Sequence, residues 1–333
     1  MKKVLLIILS IFTFQNFLNS QSCLPEGITF LSQAQVDSFP INYPGCSEIE
    51  GFVTIGPTNS WDEIDIANLD SLIYIHSIVG YLKVYNNDII SDLTGLDSLQ
   101  SIDGDLLIET NSSVESLNGL EGLTTVGGIL SIYSSNYLTS LSGLENLTSV
   151  GGNLKIEYNN ALADITSLEG VFSINGELKI FSNATLSSLE GLNSIDAESI
   201  SNLSITNNPL LSYCEVESVC NYLSVGTGAT SISSNVSGCN NVTQVNAACL
   251  VIGVKEVFDN DEFTLFPNPA KNEIFISTSK EIRSIRIYNQ LGQQVFYSDK
   301  YEESIDVTSL LSGIYLMVIK TDKSILQEKI LIQ

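Results

Sequence analysis

The sequence predicts a mainly β protein with two parts: a parallel β-solenoid of about seven 24-residue coils closed by disulfide-bearing caps, and a small C-terminal β-sandwich. Three observations lead to this prediction. Glycine recurs every 24 residues through the middle of the chain, all six cysteines flank that region, and the last part of the chain has a different charge balance and strand-like alternation. The solenoid follows from the first observation, the caps from the second and the sandwich from the third.

Each recurring glycine begins a unit of the same pattern. Two apolar residues alternate with an outward residue, as Leu154 and Ile156 do around Lys155, which is the period of a short strand with one buried face. Apolar residues then follow at every third position, which favours a coil with regular corners over an amphipathic helix. Incomplete units at each end bring the number of coils to seven. The repeat glycines are Gly80, Gly104, Gly128, Gly152 and Gly176.

Two further sets of residues mark the corners of the coil. An asparagine recurs at one position, with Ser135 in its place in the middle unit, and stacked amides can bond the backbone of a neighbouring coil. A second set of glycines predicts a corner with positive φ. No unit can bury its apolar face alone, so the units must stack. The asparagines are Asn87, Asn111, Asn159, Asn183 and Asn208, and the corner glycines are Gly95, Gly119, Gly143 and Gly191.

The first 20 residues are typical of a secretory signal peptide. Lys2 and Lys3 precede an apolar run, residues 4–14, that is too short to span a bilayer, and Ser20 suits cleavage before Gln21. We therefore expect no transmembrane segment in the mature chain.

An even number of cysteines in an exported chain predicts disulfide bonds. A zinc site is the weaker alternative because no CxxC pair occurs. Other connectivities stay open for the last four cysteines. The favoured pairs are Cys23 with Cys46, Cys214 with Cys239, and Cys220 with Cys249.

The charge distribution excludes several classes of function. The chain has a formal net charge of −24, and residues 23–264 contain 30 acidic and 4 basic residues, whereas residues 265–333 contain 8 of each. Such an acidic segment argues against binding to nucleic acid or to anionic lipid. The one histidine, His76, is expected to be a packed or surface residue, and no catalytic or dinucleotide motif is present. We expect no catalytic residues, no metal site and no cofactor.

The repeat resembles leucine-rich repeats, and most closely the receptor L-domain family. The motif GxLxIxxNxxLxSLxGLxxLxSV, read over residues 128–150 with Ser135 at the asparagine position, carries this resemblance, which covers roughly residues 50–212. It implies a right-handed parallel solenoid with a ligand-binding or adhesive role. The run NNPLLSYCEVESVC, which begins at Asn207, resembles the cysteine-rich caps of such solenoids. We expect an N-terminal cap at 21–50, the solenoid at 51–212, the second cap at 213–250 and a linker at 251–262.

Residues 263–333 predict an Ig-like β-sandwich of about seven short strands, with a hairpin turn at 289–292. The segment resembles the type A sorting domain of type IX secretion. This resemblance implies export by the type IX machinery and a secreted or outer-surface location in a Gram-negative bacterium. The residues that carry it are Pro267, Asn268 and Pro269; Leu291 and Gly292; Ser312, Gly313, Ile314 and Tyr315; and the tail from Lys329 to Gln333.

The outward side of the short strands is the candidate ligand-binding surface. Three of the four basic residues of the acidic region fall in one outward row, and a second row alternates aromatic and acidic residues. Aromatic side chains two coils apart would be about 9.6 Å apart, which is compatible with stacking on an extended glycan or peptide. Alternatively, the Lys–Glu neighbours only relieve repulsion across the sheet. The predicted ligand-binding residues are Lys83, Tyr85, Glu109, Tyr133, Lys155, Glu157, Lys179 and Phe181.

Three functions are compatible with these patterns. The favoured function is that of a secreted or cell-surface recognition or adhesion protein, whose partner is an extracellular glycan or protein. An inert spacer or adhesin stalk is the second, and a secreted hydrolase with paired carboxylates is the third.

Overall fold

The computed structural model describes residues 21–57, 64–226, 228–252, 263–278, 282–289, 294–299, 304–321 and 325–333. The chain divides into two compact units, residues 1–242 and residues 243–333. The predicted signal peptide, Leu291 and Gly292 of the sorting motif, and all but the first two residues of the predicted linker lie outside the described residues.

The first unit consists of short strands that recur along the chain. The register confirms the 24-residue repeat, because Leu130 on one strand pairs with Leu154 on the next and with Leu106 on the one before. The described strands of this unit are β1 (Gln21–Cys23), β2 (Ile28–Phe30), β3 (Cys46–Ile49), β4 (Val53–Ile55), β5 (Ser77–Ile78), β6 (Leu82–Tyr85), β7 (Ser101–Ile102), β8 (Leu106–Glu109), β9 (Thr125–Val126), β10 (Leu130–Tyr133), β11 (Ser149–Val150), β12 (Leu154–Glu157), β13 (Ser173–Ile174), β14 (Gly176–Phe181), β15 (Ile200–Thr206) and β16 (Thr230–Ser233).

These strands form two parallel sheets, so the predicted parallel solenoid is confirmed. The sheet that we call the long sheet runs in the order β2-β4-β6-β8-β10-β12-β14-β15-β16, and the other runs β1-β3-β5-β7-β9-β11-β13. In the described residues, the long sheet therefore has the seven strands of the predicted coils and one further strand from each cap region. Both caps extend the solenoid instead of only covering its ends.

The core fills the space between the two sheets. Leu154 and Ile156 are fully buried, as are the apolar residues at every third position of the coil, such as Leu117, Leu120 and Leu123. In the described coils, these positions lie in turns and in short 3₁₀ helices at Asp70–Leu72, Thr166–Leu168 and Glu190–Leu192. A further 3₁₀ helix spans Ala197–Ser199. A spacing of three matches the three residues per turn of such segments, so one side of each turn faces the core.

A ladder of buried asparagines joins the coils at one corner. Asn159 is typical: its Oδ1 accepts from the backbone N–H of Ser135 at 3.0 Å, and its Nδ2 donates to the carbonyl of Ile132 at 2.9 Å. The five asparagines that the sequence predicts at this corner are fully buried. The ladder continues into the C-terminal cap with Asn235, whose Oδ1 accepts from the backbone N–H of Asn208 at 3.0 Å. Stacked amides thus satisfy backbone groups that the corner would otherwise leave unpaired.

The prediction for the corner glycines is correct at three positions and wrong at the fourth. Gly95, Gly119 and Gly143 have φ values of 111°, 103° and 110°. Gly191 lies instead in the 3₁₀ helix Glu190–Leu192 and is not among the glycines with positive φ. A Cβ there would lie 1.9 Å from the carbonyl oxygen of Ile165, so the absence of a side chain, rather than the backbone conformation, accounts for this glycine.

The ladder gives a first testable prediction, in two opposite substitutions. Asn159→Ala leaves the Ser135 N–H and the Ile132 carbonyl without their buried partner, and we expect a loss of about 1–3 kcal/mol in the free energy of unfolding. Ser135→Asn should add about 1 kcal/mol, because within the described residues the Ser135 hydroxyl has no partner, whereas an amide there can bond the Asn111 N–H and the Ile108 carbonyl. Urea denaturation measures both. Equal, near-zero effects would contradict the role of the ladder.

Helices and disulfide bonds mark the two cap regions. Helix α1 (Gln33–Asn42) buries Val36 and Phe39 after β2, and helices α2 (Glu217–Val225) and α3 (Val242–Ile252) flank β16 in the chain. A disulfide joins Cys23 to Cys46 and another joins Cys214 to Cys239, each with a Cα–Cα distance of 5.7 Å. All six cysteines lie in the described residues and none is free, so Cys220 and Cys249 are disulfide-bonded as well.

The second unit is an antiparallel β-sandwich. One sheet has the order β17-β18-β21 and the other has the order β20-β19-β22-β23, and buried side chains such as Ile274 and Ile285, one from each sheet, belong to one core. The described hairpin strands β19 and β20 pair across the predicted turn. The strands described here are β17 (Phe263–Phe266), β18 (Glu273–Thr278), β19 (Ile282–Tyr288), β20 (Gln294–Ser298), β21 (Ser304–Asp306), β22 (Gly313–Thr321) and β23 (Ile325–Ile332).

Candidate ligand-binding surface and sorting motif

The parallel register places the predicted ligand-binding residues in two straight rows on the outer face of the long sheet. In the first row, Lys155 on β12 pairs with Ser131 on β10 and with Lys179 on β14. In the second row, Glu157 pairs with Tyr133 and Phe181 on the same two strands. Lys83 and Tyr85 on β6, together with Glu109 on β8, continue the rows towards the N-terminal end.

Two of the lysines are paired with glutamates of the neighbouring coil. The Lys83 Nζ lies 2.9 Å from a carboxylate oxygen of Glu109, and the Lys179 Nζ lies 2.6 Å from one of Glu157. The hydrogen bond to Glu157 raises the pKa of Lys179 above its ordinary value, although desolvation acts in the opposite direction. These ion pairs are the contacts expected if the lysines and glutamates serve only to relieve charge repulsion across the sheet.

The same two ammonium groups also approach aromatic rings on their own strands. The Lys83 Nζ lies 4.4 Å from the centroid of the Tyr85 ring, and the Lys179 Nζ lies 5.5 Å from that of Phe181. Each lysine thus contacts both a carboxylate and a ring, which fixes its side chain against the sheet. Lys155 differs: within the described part of the chain, its ammonium has no carboxylate within salt-bridge distance.

Three aromatic side chains form a contiguous cluster at the C-terminal ends of β10, β12 and β14. The ring centroid of Tyr158 lies 5.4 Å from that of Tyr133 and 4.9 Å from that of Phe181, with the rings edge to face. Tyr133 and Tyr158 are 39% and 41% exposed, although both rings are large and apolar. We call Tyr133, Tyr158 and Phe181 the aromatic cluster. Its members come from three adjacent coils, so it is a property of the stack and not of one repeat.

Sequence reasoning missed Tyr158 because that residue lies outside the alternating strand pattern. It directly follows β12, with a φ of 59°, at the position occupied by Asn86, Thr110 and Ser134 in earlier coils. Its left-handed conformation ends the strand and brings its ring between those of Tyr133 and Phe181. A comparison of this position across the repeats would have found it, since only this coil places an aromatic residue there.

Among the described residues of the first unit, neither His76 nor the acidic side chains form a site comparable to the aromatic cluster. His76 is exposed, with its Nδ1 2.8 Å from the carbonyl oxygen of Tyr74, and lies in an open groove with Asp97, Gln100 and Thr124. In the described residues, no group of three or more histidine, cysteine, aspartate or glutamate side chains is placed to hold a metal ion. Nor does any described helix have the length and apolar character that crossing a bilayer requires.

In the second unit, Asn268, Gly313 and Tyr315 of the predicted sorting motif lie next to the C-terminal strand β23. The Asn268 Nδ2 donates to the carbonyl of Lys329 at 2.8 Å, and its Oδ1 accepts from the N–H of Leu331 at 2.9 Å. The backbone continues this pairing, because the Ala270 N–H donates to the Leu331 carbonyl and the Gln333 N–H donates to the Ala270 carbonyl. The segment that begins at Pro267 and contains Pro269 therefore covers the outer edge of β23, which would otherwise be an unpaired strand edge.

Gly313 and Tyr315, two further residues of the predicted sorting motif, lie on the strand that pairs with the inner side of β23. Gly313 begins β22 and pairs with Ile332, and Tyr315 pairs with Ile330. The Tyr315 ring is buried in the core of the sandwich, and its hydroxyl donates to the carbonyl of Leu311 at 2.8 Å. β23 is thus held on one side by β22 and on the other by Asn268.

Two family models match segments of the chain, one in each of the two compact units. Residues 264–333 match the family model of the secretion system C-terminal sorting domain, and residues 45–115 match that of the receptor L domain. Neither family is enzymatic. No curated protein is significantly similar to the chain. The chain therefore joins a receptor L-domain region, which indicates a binding role, to a type IX sorting domain, which directs it to the cell exterior or to the outer cell surface.

Proposed function

We propose that the chain is a secreted or surface-attached recognition protein whose long sheet binds an extracellular glycan or protein. The observation that carries this proposal is the aromatic cluster of Tyr133, Tyr158 and Phe181 on the outer face of a rigid sheet. Aromatic rings supply a large contact area at low entropic cost and dominate the energetics of many recognition surfaces. A protein that only supplies length has no need for three touching rings, two of them exposed, on its outer face.

The position of the cluster favours a long ligand over a small one. Further half-buried groups lie in register along the same rows, including Leu107 and Lys83 towards the N-terminal cap. An extended ligand can follow these rows from coil to coil, because equivalent residues repeat at the strand spacing of about 4.8 Å. A small molecule is usually held in a concave pocket, whereas two of the three rings of the cluster are exposed.

The test is a triple substitution in the full mature chain. Replacing Tyr133, Tyr158 and Phe181 by serine should abolish binding to the ligands that the wild-type protein retains on an array of glycans and extracellular proteins. The matched control replaces three exposed aromatic residues outside the long sheet, Tyr74, Tyr137 and Phe172, by serine. Circular dichroism checks that both variants keep the fold.

The control separates recognition by the cluster from a general effect of removing exposed aromatic side chains. We expect the control variant to bind as the wild type does. If both variants lose the same affinity, or if neither loses any, the binding site lies elsewhere. If the wild-type protein retains nothing from the array, the proposal fails and the spacer alternative, which the two ion pairs favour, takes its place.

A further inference from the structure

We infer that the ligand of the long sheet is an uncharged polysaccharide, whose sugar rings pack on the aromatic cluster and whose hydroxyl groups bond the paired charges beside it. This inference rests on the proposed function and names the class of ligand for the same site. It starts from a contrast in charge. The outer side of the long sheet is almost neutral, whereas residues 23–264 contain 30 acidic and only 4 basic residues.

The strands of the long sheet have a balanced set of charges on their outer side. Among the side chains that alternate with buried residues on the described strands, the positive and negative charges are equal in number. Asp105, directly before β8, adds one carboxylate, which accepts from the N–H of Ile129 at 2.7 Å. The charged residues on the strands are Lys83, Lys155 and Lys179, and Glu109, Glu157 and Glu177.

The charges beside the aromatic cluster are engaged with one another. The Lys179 Nζ lies 2.6 Å from a carboxylate oxygen of Glu157 and 5.5 Å from the centroid of the Phe181 ring, so this ion pair adjoins the cluster. The hydrogen bond to Glu157 is the main cause of the raised pKa of Lys179, and the negative charge of Glu177 adds to it. Together with Lys155, these side chains have two positive and two negative charges, so neither sign is left in excess.

A balanced face disfavours a charged ligand. An anion that binds Lys179 competes with Glu157 and leaves that carboxylate without its partner, and a cation that binds Glu157 does the same to Lys179. A densely charged anion is also repelled by the acidic remainder of the solenoid. A neutral ligand leaves the ion pair intact.

A sugar chain suits this surface better than a protein does. A sugar hydroxyl can donate to a carboxylate and accept from an ammonium, so it can bond either partner of the ion pair without bringing a charge. The C–H faces of sugar rings can pack on Tyr133 and Tyr158, which are 39% and 41% exposed. The core of a protein interface is depleted of charged residues, whereas here an ion pair adjoins the rings.

The neutral probes are cellohexaose, laminarihexaose, xylohexaose and mannohexaose, and the charged probes are the hexaoses of glucuronic acid and of glucosamine. Titration calorimetry uses the full mature chain in about 0.5 M sodium chloride, which screens attraction to the acidic remainder of the surface. At least one neutral hexaose should bind about tenfold or more tightly than both charged ones. Its Kd should change by less than about twofold in low salt, because it has no charge to be screened.

Substitutions at the cluster and at the ion pair test where and how the neutral hexaose binds. The triple aromatic variant should lose it, and the variant with serine at Tyr74, Tyr137 and Phe172 should keep it. Replacing Glu157 and Lys179 together by alanine removes their hydrogen-bonding groups and should weaken binding. Replacing both by glutamine restores such groups without charge, so this variant should bind about fivefold more tightly than the alanine variant.

The outcomes separate this inference from the function on which it rests. The inference is wrong if no neutral hexaose binds, if a charged hexaose binds more tightly, if high salt weakens the binding, or if the triple aromatic variant keeps it. It is also wrong if the glutamine variant binds as weakly as the alanine variant, because the site then recognises charge. The proposed function survives these results as long as the triple aromatic variant loses an array ligand, such as an extracellular protein, that the control variant keeps.

Discussion

Replacing Leu154 with alanine is expected to destabilise the solenoid by about 2–5 kcal/mol. Leu154 is fully buried and lies in register between Leu130 and Leu178, which are fully buried as well. The backbone hydrogen bonds of the long sheet hold adjacent strands at a fixed spacing, so the neighbouring coils cannot collapse into the cavity that the substitution leaves. Chemical denaturation followed by circular dichroism measures the loss in the free energy of unfolding.

Leu210→Ala is the matched control for this substitution. It removes the same atoms from a leucine of the same solenoid, but the Leu210 side chain is 54% exposed. Surface substitutions of this kind change stability by about 0.5 kcal/mol or less. If Leu154→Ala costs no more than Leu210→Ala does, the shared core between the stacked coils is not the source of stability.

Deleting residues 329–333 is expected to abolish export and to leave the chain in the periplasm. These residues end β23, where Ile330 and Ile332 are buried in the core of the sandwich. The deletion also removes the Lys329 carbonyl and the Leu331 N–H, to which Asn268 is bonded. Immunoblots of periplasmic and extracellular fractions measure the result. Export of the truncated chain at the wild-type level would contradict the role of the sorting domain.

Two single substitutions distinguish the fold of the sorting domain from recognition of its tail. Asn268→Ala removes the side chain that bonds β23 and leaves the tail intact, so we expect a partial loss of export together with a lower melting temperature. Lys329→Ala removes an exposed side chain but keeps the carbonyl that Asn268 binds, so the melting temperature should not change. A loss of export in Lys329→Ala alone would show that the machinery contacts this lysine directly.

The strict repeat explains why most of the first unit could be predicted from the sequence. Because the units that begin at Gly80, Gly104, Gly128, Gly152 and Gly176 recur every 24 residues, the pairs of stacked residues among them follow from the period alone, and Leu154 could be placed against Leu130 without coordinates. The cap regions lack this constraint. The sequence therefore did not reveal that β2 and β16 extend the long sheet, nor that Asn235 continues the asparagine ladder, since these residues are reached through spacings other than 24.

In the sorting domain, the sequence identified the motif residues but not their contacts. Pro267, Asn268 and Pro269 were assigned by resemblance, and their separation from Lys329 along the chain hides the fact that Asn268 bonds the last strand. The chain reaches the last strand through hairpins and crossovers of different lengths, so no single period relates the two segments. The contact between Asn268 and β23 could be identified only from the tertiary structure.

By itself, the sequence determined the architecture of this protein: the parallel coils, the buried leucines, the amide corner and the two-part organisation. Those features depend on periodicity and on the burial of apolar side chains, which a one-dimensional pattern records. Only the tertiary structure decided which outward side chains act together. Tyr158 joins Tyr133 and Phe181, and Glu157 pairs with Lys179 instead of Lys155, because these choices depend on distances of a few ångströms between coils and on the local conformation after β12.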